Sequence, residues 1–120
     1  MALYIKQNNK EKLITKKTIH RKNILQKGTG LMFHKTIKDE AHIFYLNKEQ
    51  RIHITMIFVF FPIDIIFMKK NKITEIKENL KPFTNYKSKN KADMFIELPK
   101  GHIKKYEIKT NQEIIIKNNP

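Results

Sequence analysis

Apolar residues recur along this chain in short alternating runs, not at the three- and four-residue spacing of an amphipathic helix. Leu3-Tyr4-Ile5 predicts a short strand, with the polar stretch Lys6 to Lys12 behind it. Leu13-Ile14-Thr15 and Thr18-Ile19 are strand-forming in type, though their alternation is untidy. Asn23 suits the N-cap of a short helix from Ile24 to about Lys27, with Gly28 and Gly30 at its end. Leu31-Met32-Phe33 is an apolar knot that needs a packing site. Ala41-His42-Ile43-Phe44-Tyr45-Leu46 predicts a strand, closed by the polar turn Asn47-Lys48-Glu49-Gln50.

The centre of the chain carries the strongest signal. Ile52, Ile54 and Met56 alternate with His53 and Thr55, the mark of a half-buried strand. From Ile57 to Phe61 both faces are apolar, so this strand is expected to run on into the core. Pro62 cannot donate to a ladder and marks a bulge, an edge or a strand junction. Ile63 to Met68, the polar turn Lys69 to Lys72, and Ile73 to Ile76 predict a hairpin. Met94 to Leu98 predicts a strand stopped by Pro99-Lys100-Gly101. Ile103 to Ile108 suggests a helical turn, and Ile114-Ile115-Ile116 a last strand. Seven or eight short strands and at most two short helices predict a mainly β domain. The architecture expected is a β-sandwich of jelly-roll kind or a partly closed barrel with one or two short helices.

Length and composition narrow this further. The 120 residues make one domain, 1–120. The absence of Cys excludes a disulfide framework, a thiolate metal site and a thiol nucleophile. The first apolar stretch stops at Ile5, too short for the core of a signal peptide, so a cytoplasmic protein is expected. The apolar run Ile52 to Met68 falls short of the ~20 residues a membrane helix needs, and it contains Pro62 and Asp64. No membrane span is expected.

The net charge is +14, with 25 basic residues of which only two are Arg. Residues 1–40 and 69–120 each carry +7, and residues 41–68 are neutral. This layout suits an apolar hairpin inside a basic shell. Two explanations compete for the charge. One is a footprint for a polyanion, nucleic acid being the first suspect. The other is solvation by a Lys-, Ile- and Asn-rich composition, which the scarcity of Arg favours.

With the segments in place their order becomes informative. Gly30-Leu31-Met32-Phe33, Asp39-Glu40, Ile43-Phe44, Met56, Pro62-Ile63-Asp64-Ile65-Ile66-Phe67 and Ile96-Glu97-Leu98-Pro99-Lys100-Gly101 follow one another as in domain-of-unknown-function family 192, also called uncharacterised protein family 0127. The chain resembles that family over about residues 12–117, leaving 1–11 as a short N-terminal strand and polar segment. The resemblance implies a compact, mostly β domain of sandwich or jelly-roll kind and no established activity. The chain also departs from the family. Thr55-Met56-Ile57-Phe58-Val59 stands where relatives have a Trp-Met-Lys-Asn-Thr stretch, Ala41-His42 replaces a Gly-Met, and His34 an Arg. A polar pocket at that Lys and Asn in relatives would be filled with hydrocarbon here.

The candidate chemistry is sparse. Asp64 is an acid inside an apolar run, on the strand face of Ile66 and Met68 and opposite Ile63, Ile65 and Phe67. It is either a ligand-binding carboxylate or a structural acid accepting backbone N–H groups near Pro62. Glu97 precedes the Pro-Lys-Gly turn, where it would pair with a Lys, or with Asp64 if their strands are neighbours; with Asp64 it is a ligand-pocket candidate. His20, His34, His42, His53 and His102 show no local ligand spacing, so no metal or cofactor is expected. Ser88 is the only Ser and has no His close in sequence. The best binding candidate is Lys81 to Lys91, where Lys81, Lys87, Lys89 and Lys91 combine with Phe83 and Tyr86 and no acid. That combination suits phosphate neutralisation with base stacking; the competing account is a solvated loop whose aromatics pack as staples. The expectation is a non-enzymatic binding or interaction module for an anionic partner. The alternative is a small-molecule or carbohydrate-binding domain, or a weak enzyme, built around Asp64. A third is an interaction protein that pairs through its edge strands.

Overall fold

A computed structural model describes residues 1–21 and 38–118 of the chain. The expected helix after Asn23, Gly28, Gly30, Leu31-Met32-Phe33 and His34 lie outside the described residues. Among the described residues the strands are β1 (Ala2–Gln7), β2 (Lys10–Thr15), β3 (Thr18–Arg21), β4 (Ala41–Gln50), β5 (His53–Thr55), β6 (Ile63–Lys69), β7 (Lys72–Leu80), β8 (Asn85–Lys87), β9 (Ala92–Pro99) and β10 (Glu113–Lys117). One helical turn, α1 (His102–Lys105), lies between β9 and β10.

The local chemistry of the turns sets the pairings. Asn8 and Asn9 both take positive φ, as do Lys70 and Asn71, so β1–β2 and β6–β7 close as hairpins over two-residue loops. Eight strands form one sheet in the order β2-β1-β10-β7-β6-β9-β4-β3, antiparallel except for the β3–β4 pair. Strands β2 and β3 are its two edges, yet only Lys16 and Lys17 separate them in sequence. Two residues span at most ~10 Å between the strand ends. The sheet is therefore rolled until its edges approach, but no ladder joins them and the barrel stays open.

Rolling gives the sheet an inner and an outer core. Leu3, Ile5, Ile14, Ile43, Ile66, Ile73, Ile96 and Ile114 fill the inside, capped by Ile103 and Ile108 from the α1 region. Outside, Phe44, Ile63, Ile65, Phe67 and Phe95 form an apolar face covered by Ile52, Ile54, Met56, Val59 and Leu80. Strand β6 lies between the two cores, so all of Ile63–Met68 is buried. That is why its sequence is a continuous apolar run, with each buried Ile or Phe stabilising by about 1.5–3 kcal/mol.

The run Ile57 to Phe61 is not the core strand expected. Strand β5 ends at Thr55; the Met56 carbonyl accepts the Val59 and Phe83 amides, and the Met56 amide donates to Thr84. A turn thus replaces the ladder. Met56 and Val59 point inward while Ile57, Phe58 and Phe60 are left exposed. Pro62 stands at the junction immediately before β6. The polar segment Asn47–Gln50 is strand rather than turn, since after an irregularity Gln50 resumes pairing with Ala92.

Candidate ligand pocket and basic strip

Two carboxylates sit on the neighbouring central strands β6 and β9. The register sets Asp64 opposite Leu98 and Glu97 opposite Ile65, so the two side chains leave the sheet on opposite faces and make no acidic pair. Each is buried, Asp64 at 1% exposure and Glu97 at 8%.

Asp64 is fully occupied by the backbone. One extra residue in β7 between the Ile63–Leu80 and Ile65–Lys77 pairs makes a bulge, with Asn79 at φ 51°. The freed Asn79 amide donates to one Asp64 oxygen at 2.9 Å. The other oxygen accepts the Gly101 amide at 3.0 Å and the Ile103 amide at 2.9 Å. Gly101 reaches this position at φ 92°, a conformation glycine adopts without a Cβ penalty. One carboxylate therefore binds the β7 bulge, the β9–α1 turn and the start of α1 into one corner. Three charge-assisted bonds also meet the cost of burying the charge.

Glu97 has the opposite environment. Among the described residues none donates a hydrogen bond to it, although it lies on the floor of a pocket of about 250 Å³. The pocket forms where β5 lies across β4 and β9. Leu46, Ile52, Ile54 and Phe95 supply apolar wall, while Gln50, Arg51, His53 and Thr55 supply the polar groups. His42 of β4 is Glu97's register partner and hydrogen-bonds Glu40 at 3.1 Å. Burial pushes the Glu97 carboxyl up from the ordinary carboxylate range to about 8, and the charge of Arg21 on β3 draws it partly back. The Arg21 Nε is itself buried without a hydrogen-bond partner.

The Lys81–Lys91 segment lies on the same outer face. Tyr86 packs toward Phe67, their ring centroids 5.9 Å apart, and its hydroxyl donates to Glu75. Burial, and then Glu75, push this phenol up to about 12. The second Glu75 oxygen accepts the Lys89 amide at 2.8 Å and the Asn90 amide at 3.1 Å. Ser88 is buried, accepting the Ile52 amide and donating to the Asn90 carbonyl, while Arg51 Nε donates to the Ser88 carbonyl. The segment is thus a fixed strip. Lys81, Lys87, Lys89 and Lys91 stand exposed along it and make no ion pair among the described residues. Phe83, 61% exposed, meets Phe60 edge to face at 5.5 Å. Phe58 and Phe83 hold φ of 56° and 61°, an uncommon conformation for bulky side chains. Tyr86 supports the strip from beneath, whereas Phe83 is presented.

Glu75, Phe60 and Arg51 escaped the sequence reading. Glu75 follows Ile73 and Thr74 in an alternating stretch that looks solvent-facing, and only its register opposite Phe67 reveals its side. Of the other described imidazoles, His20 bonds Tyr45 and His102 bonds Asp39 at 2.9 Å. Among the described residues no three His, Asp or Glu converge on a metal-binding position, and no helix is long and apolar enough to cross a membrane.

The fold recurs in solved structures. A protein of unknown function from Novosphingobium aromaticivorans DSM 12444 superposes with a TM-score of 0.85 at 19% identity, over 97% of this chain and 84% of the other. A Sinorhizobium meliloti 1021 protein, named provisionally as a transcription regulator, gives 0.84 at 17% identity over 94% and 90%. These likenesses establish the fold alone. No curated protein matches the sequence. The sequence model of DUF192, described as Uncharacterized ACR, matches residues 5–116, so the match starts within β1 rather than at residue 12. β1 itself lies inside the sheet, between β2 and β10. The chain belongs to the DUF192 family.

Proposed function

We propose that this protein is a non-enzymatic binding domain whose partner is a single-stranded nucleic acid, held along the Lys81–Lys91 strip. The observation that carries this reading is the exposed Phe60–Phe83 pair set beside four lysines that no acid among the described residues neutralises. Lysines track phosphates without geometric demand, and an exposed aromatic face accepts any base. The Glu75 clamp supports the reading as well, because it holds the strip in one conformation before a partner arrives and so lowers the ordering cost of binding.

The test is fluorescence anisotropy of nuclease-treated protein with labelled single-stranded RNA and DNA across a salt series. Binding is expected to persist near ~150 mM salt with a log–log slope of several ions. Replacing Lys87, Lys89 and Lys91 by Ala should flatten that slope by about one per lysine. Phe83→Ala should cost about 1–3 kcal/mol of affinity. Binding confined to the lowest salt, or unaltered by these substitutions, would reduce the lysines to surface solvation.

A further inference from the structure

The pocket over Glu97 is distinct from the strip and stands on its own evidence. A carboxyl that is more than nine-tenths buried, and to which no described residue donates, is costly in a folded protein. Asp64 on the next strand shows how this fold treats a buried carboxylate that only holds structure, giving it three amides. Among the described residues Glu97 has none, and an open volume of about 250 Å³ lies over it. A donor from outside the chain would reach Glu97 through that volume.

The surroundings narrow the class of ligand. Arg21 from β3 acts on Glu97 electrostatically, His42 of β4 is its register partner, and Arg51 and His53 line the pocket. A cationic ligand would enter against those guanidinium groups and the +14 of the whole chain. A carboxylate or phosphate brings only acceptors and would leave the acceptor oxygen of the Glu97 carboxyl without a donor. What fits is a neutral molecule with several hydroxyls, each able both to donate and to accept. The carboxyl of Glu97, the amide of Gln50 and the guanidinium of Arg51 are flat groups with fixed donors or acceptors, and Thr55 adds a hydroxyl that does both. Ile52 and Ile54 offer an apolar wall for the C–H face of a ring. We infer that the pocket between β5 and β9 binds a neutral polyhydroxylated small molecule of monosaccharide size, with Glu97 as its central hydrogen-bonding group.

The experiment is an amide-NMR titration of the full chain with D-glucose, D-galactose, D-mannose, D-ribose and myo-inositol, using citrate and spermidine as charged comparators. At least one polyol is expected to give saturable shifts at Gln50, Thr55 and Glu97. Glu97→Leu should weaken that affinity at least tenfold while melting no lower than the wild type, because it removes a buried carboxyl to which no described residue donates. Gln50→Ala, at a half-exposed position, should weaken it several-fold and provides a second reading if Glu97→Leu misfolds. The inference is overturned if no polyol gives saturable pocket shifts, if only citrate or spermidine does, or if both variants respond like the wild type. The nucleic-acid titration is independent of each of these results, since it reads lysines and aromatics that do not line the pocket.

Discussion

Asp64 and Glu97 project from adjacent strands of one sheet, both are buried, and they face opposite ways. On the inner side the fold surrounds its carboxylate with amides from a bulge, a turn and a helix start. On the outer side a two-stranded ribbon, β5 with β8, closes over the sheet but leaves the second carboxyl facing an open volume. The difference shows that burial alone does not define a role for an acid. What matters is whether the backbone has already used its lone pairs.

The largest effect that would test this contrast is at Asp64. Asp64→Ala removes the acceptor of three amides at once, one of them buried, and should cost about 3–5 kcal/mol in chemical denaturation, by analogy with breaking a buried charge network. A loss below about 1 kcal/mol would remove Asp64 from its structural role. Next comes Glu75, the satisfied acid of the outer face. Glu75→Ala should lower stability by about 1–3 kcal/mol and speed amide exchange at Lys89 and Asn90, while leaving exchange at Asn79 and Ile103 unchanged. A smaller effect is expected from Gly101→Ala. Nothing lies within 4 Å of a Cβ there, so only the φ of 92° resists it, and a loss of about 1–2 kcal/mol is predicted. The smallest concerns Arg21. Because its charge draws the Glu97 carboxyl downward, Arg21→Gln should move the titration of Glu97 above about 8, as followed by carboxyl carbon NMR. A downward movement would show that Arg21 does not act on Glu97.

Much of the frame was legible in the sequence. The β6–β7 hairpin follows from a continuous apolar run, a polar turn and a return strand, and the structure adds that both faces of β6 are covered. The alternation at Ile63 to Met68 also set Asp64 on its face, and the apolar setting demanded hydrogen-bond donors for it. Which donors could not be read, because Asn79, Gly101 and Ile103 reach it only through a bulge and a distant turn. The run Ile57–Phe61 misled for a related reason. Hydrophobicity states what burial would favour, but the backbone hydrogen bonds of Met56 to Val59, Phe83 and Thr84 turned three of those side chains outward. The sequence marks Glu97 as a turn residue, a partner for Asp64 or, together with Asp64, a ligand-pocket candidate. Its pocket depends on β5 lying across β4 and β9, a contact between segments that no local pattern encodes.

The central claim is that Asp64 is spent on structure and Glu97 is held in reserve. The most direct test measures unfolding free energy for the wild type, Asp64→Asn and Glu97→Gln at pH 5 and pH 8.5. The Glu97 carboxyl lies near 8 in the folded protein, against about 4.3 for an unfolded Glu. Between those values the native state holds the extra proton, so wild-type stability falls as pH rises through that window. Glu97→Gln should therefore match the wild type at pH 5 and exceed it at pH 8.5, by on the order of a few kcal/mol, while Asp64→Asn is weaker at both. If Glu97→Gln instead loses stability at both values as Asp64→Asn does, Glu97 is a bonded structural acid and the contrast fails.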